Sequence, residues 1–140
     1  VLFRDGTMKT YSSDTFDANT VIDQGAWQAW TFGPILLDGN GNKMSSYNTT
    51  SYIKDNTHPR SALGYVAPGH YVWIVEDGRQ EDYSAGVTLD DLAEVLREQG
   101  CVSGYNLDGG RSSVMLWDGV IANHPDAGGR DLSDILYIEK

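Results

Sequence analysis

The sequence predicts an α+β domain, a mixed and mainly antiparallel sheet of hairpins with one firm helix at about residues 88–99. Three observations lead there. Sixteen glycines punctuate 140 residues, and several follow Asp in pairs that suit two-residue turns with positive φ. The runs between those turns are short and rich in β-branched and aromatic residues. Only one segment carries a full helix signature of start, apolar stripe and stop.

In chain order, residues 1–3 and 7–11 flank Asp5-Gly6 as a first hairpin. A helical stretch is expected over residues 17–24, ended by Gly25. Residues 35–37 read as a strand leading into Asp38-Gly39-Asn40-Gly41. The polar segment 47–57 reads as a surface loop, and its Asn48-Thr49-Thr50 sequon is of a kind common by chance. Residues 61–66 and 71–75 are the two strongest strands, joined by Ala67-Pro68-Gly69-His70. The helix opens at Thr88 with Asp91 three residues on, a capping box. Leu89, Leu92, Ala93 and Leu96 form its buried stripe, and Gly100 stops it. Residues 102–107, 114–117, 120–122 and 132–138 complete the strand candidates, the middle pair flanking Asp118-Gly119. Trp27 and Trp30 read as core packing.

Composition narrows function by exclusion. At 15.4 kDa the chain is one domain or a piece of one. Its 40% hydrophobic content, with four Trp, eight Tyr and three Phe, supplies a core and argues against disorder. A formal net charge of −10 lacks the basic footprint that nucleic acid or an anionic membrane requires. No run of 18 apolar residues suggests a transmembrane helix. The chain opens on Val1 without a visible signal peptide, so a processed or cropped start is expected. Cys101 stands alone, which rules out an internal disulfide. His58, His70 and His124 lack metal-ligand spacing, Asp38-Gly39-Asn40 lacks the twelfth-position carboxylate of a calcium loop, and no nucleotide fingerprint occurs. Neither metal nor cofactor is expected.

The densest chemistry is Asn106-Leu107-Asp108-Gly109-Gly110-Arg111-Ser112-Ser113, directly after a strand. A carboxylate, two glycines that let a ligand approach the backbone, an arginine and two hydroxyls fall together there. A tight turn capped by Asp108 explains the same residues without a ligand. His58-Pro59-Arg60 places a guanidinium at a strand mouth, where it suits a bidentate phosphate or an ordinary surface carboxylate equally. Asp77-Gly78-Arg79 ends another strand, and Asn123-His124-Pro125 precedes Gly128-Gly129-Arg130. Four of the six arginines (Arg60, Arg79, Arg111, Arg130) thus sit in or beside glycine- and proline-marked turns. That clustering points to an anionic ligand bearing phosphate.

Those motifs, together with Thr31-Phe32-Gly33-Pro34 and Gly86-Val87-Thr88-Leu89, occur in the order found in the phosphodiester glycosidase family. The resemblance spans about residues 1–140, so this range is expected to be a phosphodiester glycosidase-like domain, its C-terminal portion. It implies a hydrolase cleaving the bond between a sugar's anomeric carbon and a phosphate oxygen, as the family's lysosomal "uncovering enzyme" does for N-acetylglucosamine. The substrate would be a carbohydrate phosphodiester in a glycan or envelope polymer, and the location secreted or envelope-associated, as in bacterial relatives. Asp108 is then the expected catalytic carboxylate and Asp77 its partner. Arg60, Arg79, Arg130 and the Gly109 and Gly110 amides would bind phosphate, with Arg111, Ser112, Ser113 and Asn123 around them. Two departures stand out: the family's upstream Asn-Gly-Gly-Phe-Phe-like segment has no match, and Arg111 stands where many members have a third glycine. An absent upstream strand would leave an edge for that segment or a second copy to cover. A non-catalytic module binding a glycan or anionic polymer would use the same arginines without needing Asp108, and a purely structural domain would bind nothing.

Overall fold

The computed structural model describes residues 1–139. Its elements in chain order are β1 (Leu2–Phe3), α1 (Ala18–Asp23), β2 (Ala26–Gln28), β3 (Ile35–Asp38), α2 (Ser51–Asp55), β4 (Arg60–Ala67), β5 (His70–Glu76), α3 (Leu89–Glu98), β6 (Ser103–Leu107), β7 (Leu116–Trp117) and β8 (Val120–Ile121). The main sheet has four strands in the order β3-β6-β4-β5, every pair antiparallel. Two-stranded ribbons, β1 with β2 and β7 with β8, flank it. No helix among the described residues is long and apolar enough to cross a membrane.

Helix α3 covers one face of the sheet. Thr88 caps it reciprocally with Asp91, the hydroxyl accepting from Asp91 N and the carboxylate from Thr88 N. Leu89, Leu92, Ala93 and Leu96 are buried against Leu36, Leu37, Ala62 and Cys101. The seat of Leu96 is made by missing side chains. Gly64 on β4 and Gly104 on β6 are register partners. A Cβ on Gly104 would lie 2.8 Å from Leu96 Cδ1, and one on Gly64 2.7 Å from Leu96 Cδ2. Leu63 faces the other way, where Leu2 and Met8 form a second buried cluster with partly buried Trp30, Tyr65 and Tyr71. Period-two alternation along β4 thus serves two cores at once.

The α+β class and the helix over residues 88–99 hold, the latter as α3 with its caps Thr88 and Gln99. The stretch 17–24 is α1 with caps Asp17 and Gln24. Four expectations need correction. The loop 47–57 contains α2, a single turn whose Thr50 cap accepts from Ile53 N at 3.4 Å. Residues 7–11 form no strand: Met8 makes one bridge to Leu2, and β2 is the ladder partner of β1. Residues 132–138 alternate like a strand yet pair with nothing among the described residues, and Ile135 and Ile138 are exposed. Trp27 is also exposed rather than in the core.

Candidate active site

Strand register assembles the site. Arg60 pairs with Glu76, and Ser61 with Leu107. Because β4 runs against both neighbours, its first residues lie beside the last residues of β5 and β6. His58-Pro59-Arg60, Asp77-Gly78-Arg79 and Asp108-Gly109-Gly110 therefore leave the sheet at one end, although they are far apart in sequence. Residues 123–130 fold across them as a fourth segment, tied by polar contacts.

The first tie is Asp77. Its Oδ1 accepts from Asn123 Nδ2 at 2.7 Å, and its Oδ2 accepts from His124 N at 2.8 Å and Tyr83 OH at 3.1 Å. Burial alone would raise this carboxyl, but those hydrogen bonds outweigh it and hold the pKa below the usual carboxylate value. Asn123 also donates to Ser113 O and accepts from Met115 N, so its amide is committed to the fold. The second tie is Arg79 Nη1 to Asp126 Oδ2 at 3.2 Å. In the third, Arg130 pairs with Asp108 Oδ2 while its Nε donates to Ser112 Oγ at 2.7 Å. Ser112 Oγ in turn donates to the same Asp108 oxygen at 2.6 Å. Arg111 Nε donates to Gly129 O at 3.2 Å.

Arg60 is only 4% exposed and has no carboxylate within ion-pair range among the described residues. Its Nε donates to Val87 O at 3.1 Å, and its Nη2 to Ile53 O at 2.6 Å and Asn56 O at 3.1 Å. The guanidinium thus satisfies carbonyls at the end of α2, where a cation also suits the helix dipole. Burial, and after it the charge of Arg79, lower its pKa. Beside it, burial and then the charge of Asp77 raise Glu76.

His58 was read from the sequence only as a failed metal ligand, but here it bridges two segments. Arg79 Nη2 lies 3.1 Å from its Nδ1, and its Nε2 lies 3.0 Å from Tyr52 O. Arginine has no acceptor, so Nδ1 must accept and Nε2–H donates to the carbonyl. This assigns the neutral Nε2–H tautomer by its partners. No three His, Cys, Asp or Glu side chains among the described residues converge as a metal site.

The glycines of the Asp108 turn work by absence of bulk. A Cβ on Gly109 would sit 2.6 Å from Pro59 O, and one on Gly110 2.9 Å from Arg79 Nη1. Gly110 also has φ +61°. Their amides, however, are occupied: Gly109 N donates to Asp108 Oδ1 at 3.0 Å and Gly110 N to Pro59 O at 2.9 Å.

A cavity of about 310 Å³ opens over this turn. Arg60, Arg79, Arg111 and Arg130 line it, and Asp108 is the sole carboxylate among its described lining residues. Gly109 and Gly110 also line it, as do Phe32, which precedes β3, and Tyr52 of α2. Of the sequence-derived site residues, Ser112 reaches the cavity through Asp108, whereas Asp77, Ser113 and Asn123 lie outside its lining. Ser113 is fully buried and accepts from Ser61 Oγ. A hollow of about 390 Å³ elsewhere is lined by Lys9, Tyr11, Asp38 and Ser103 among others. It lacks the convergent arginines, and Asp38 there is engaged with Asn40 and Asn42. Size therefore does not decide between the two; the chemistry does.

The family model of phosphodiester glycosidases matches residues 2–139. The chain is 36% identical over 139 residues to the SPbeta prophage-derived uncharacterized protein YomE of Bacillus subtilis (strain 168), covering 99% of the chain and 21% of that protein. It is 36% identical over 66 residues to the N-acetylglucosamine-1-phosphodiester alpha-N-acetylglucosaminidase of Mus musculus, covering 47% of the chain and 12% of the enzyme. The chain thus spans about a fifth or less of the length of these curated relatives. Its fold is similar to a hypothetical protein from Synechocystis, with a TM-score of 0.58 and 24% identity over 70% of the chain and 18% of that structure. It is also similar to the zebrafish N-acetylglucosamine-1-phosphodiester alpha-N-acetylglucosaminidase catalytic domain, with a TM-score of 0.53 and 23% identity over 65% of the chain and 33% of that structure.

Proposed function

The chain belongs to the phosphodiester glycosidase family, and we propose that it forms the hydrolytic site for a bond between a sugar's anomeric carbon and a phosphodiester oxygen. One observation carries this reading: Asp108 shares its cavity with four arginines and with no second carboxylate among the described lining residues.

In this mechanism Arg79 and Arg130 contact the phosphate, and the buried charge of Arg60 adds a fixed positive field behind them. The anomeric C–O bond breaks with its electron pair going to the phosphate oxygen. A phosphate monoester leaves without strong acid assistance, so a lone carboxylate suffices. Asp108 takes a proton from the attacking water as that water's oxygen bonds to the anomeric carbon, and its charge stabilises the oxocarbenium-like centre. The proton then passes to solvent. Asp77 acts as a positioning residue, fixing residues 123–124 from outside the cavity. Substrate phosphate competes for Arg130 and so frees Asp108, at modest cost because exposed pairs contribute only about 0–1 kcal/mol. The glycan or envelope-polymer carrier, and a secreted or envelope-associated setting, belong to the same proposal and rest on the family.

The test is hydrolysis of a panel of sugar-1-phosphodiesters, N-acetylglucosamine first, with Asp108→Asn as control. Release of free sugar by the wild type and its loss in the variant is expected; turnover that survives in Asp108→Asn removes the assignment. The alternative is a binding module, favoured by the two donors already on Asp108 Oδ2. It predicts ligand binding without sugar release and no dependence on Asp108.

A further inference from the structure

We propose that Phe32 and Tyr52 form an aromatic subsite that receives the apolar face of a pyranose ring next to the arginine cluster; the proposal rests on the phosphodiester reading of that cluster. Both rings are exposed, Phe32 at 56% and Tyr52 at 64%. Among the exposed aromatics of the described residues, these two alone line the arginine cavity; Trp27 and Trp117 do not.

The rings are carried on fixed backbone. Phe32 N donates to Tyr105 OH at 3.2 Å. The next residue is clamped to β6 from both sides, Gly33 N donating to Asn106 O at 3.1 Å and Asn106 Nδ2 to Gly33 O at 2.8 Å. Tyr52 packs against His58 in a tilted contact, with ring centroids 4.8 Å apart, and its carbonyl lies 3.0 Å from His58 Nε2. Both rings are thus presented from anchored backbone that need not reorder when a ligand arrives.

The chemistry of the ligand fits this placement. A sugar 1-phosphate carries its anion one C–O bond from the ring, so phosphate on the arginines brings the pyranose to the adjoining wall. A pyranose presents C–H groups on one face and hydroxyls around its rim. The electropositive C–H face matches the electron-rich face of an aromatic ring. Pockets of this kind combine apolar and aromatic walls with a few oriented charges. The arginines would then recognise phosphate as such, and the aromatic pair would make the cavity prefer phosphate attached to sugar.

The experiment compares two probes, inorganic phosphate and N-acetylglucosamine 1-phosphate, in calorimetric or NMR titrations of the wild type, Phe32→Ala, Phe32→Leu, Tyr52→Ala and the double alanine variant. The wild type is expected to bind the sugar phosphate about tenfold more tightly than phosphate, and the double variant to lose that preference with its phosphate affinity unchanged. Phe32→Leu, which keeps apolar bulk without a flat ring, should lose most of the Phe32 share. Thermal melts confirm that these exposed substitutions leave the fold intact. Phosphate binding with no preference for the sugar in the wild type, or a preference that survives the double variant, overturns the aromatic subsite alone. Failure of the wild type to bind either probe overturns the arginine reading, and the subsite with it.

Discussion

Arg130 and Ser112 both donate to one oxygen of Asp108, Oδ2, while among the described residues the other oxygen accepts only from the adjacent Gly109 amide. The Asp108 carboxylate is therefore restrained on the side that faces Arg130. Arg130→Gln should raise KM for a sugar phosphodiester about tenfold, the loss of one charge-assisted contact. Its melting temperature should hardly move, because the pair it removes is about half exposed at both ends. Steady-state kinetics beside a thermal melt measure both effects.

Arg60 should behave in the opposite way. Arg60→Met removes the side-chain donor from the carbonyls of Ile53 and Asn56, while Val87 O keeps the His58 N–H. A loss of about 2–4 kcal/mol in chemical denaturation is expected from buried acceptors left unpaired. Phosphate affinity should fall as well, because the fixed positive charge behind Arg79 and Arg130 is lost, and the preference for sugar phosphate should weaken because α2 carries Tyr52. A variant as stable as the wild type would count against this anchoring role.

Leu96 and Gly104 form a coupled pair. Gly104→Ala inserts a methyl 2.8 Å from Leu96 Cδ1, and overpacking of this kind costs about 1–3 kcal/mol. Leu96→Ala alone leaves a cavity under α3 and costs about 2–5 kcal/mol. Together they should cost less than their sum, since each relieves the strain or void made by the other. A double-mutant cycle in urea reads the coupling.

Asp77 links stability to acid. Its folded pKa lies below its unfolded value, because the hydrogen bonds from His124 N, Asn123 and Tyr83 outweigh the effect of burial. Its contribution is then present above the unfolded carboxylate pKa of about 3.9 and fades as pH falls through the lower folded value. Asp77→Asn should be less stable than the wild type at neutral pH, and the gap should narrow below about pH 4. Melting temperatures across pH 2–7 for both proteins provide the comparison.

Local chemistry made much of this architecture legible. The Thr88–Asp91 box, the Leu89 to Leu96 stripe and the turn between β4 and β5 are encoded within a few residues each, and they appear where read. Residues 132–138 mislead because alternation reports a willingness to pair, whereas a strand needs a neighbour. Segment 47–57 misleads because α2 is held by Arg60, a residue outside it. At the site, the four arginines that the sequence places in separate turns line one cavity. The amides of Gly109 and Gly110 looked available because sequence does not show that Pro59 O and Asp108 Oδ1 already hold them. His58 stayed obscure for the same reason, since its partners come from two other segments. The three donors on Asp77, His124 N, Asn123 Nδ2 and Tyr83 OH, were equally invisible in the sequence, because two of them lie more than forty residues away.

The wall formed by residues 123–130 is held differently from the apolar core. Helix α3 is held to the sheet by aliphatic contact, but this wall is fastened through Asp77–Asn123, Arg79–Asp126 and Asp108–Arg130. Added electrolyte acts on the two unequally: it screens partly exposed charges and leaves apolar burial intact. As ionic strength rises, the wall should loosen well before the domain melts. The cavity is then graded by its medium, tight in dilute solution and slack in brine, on a scaffold that registers neither.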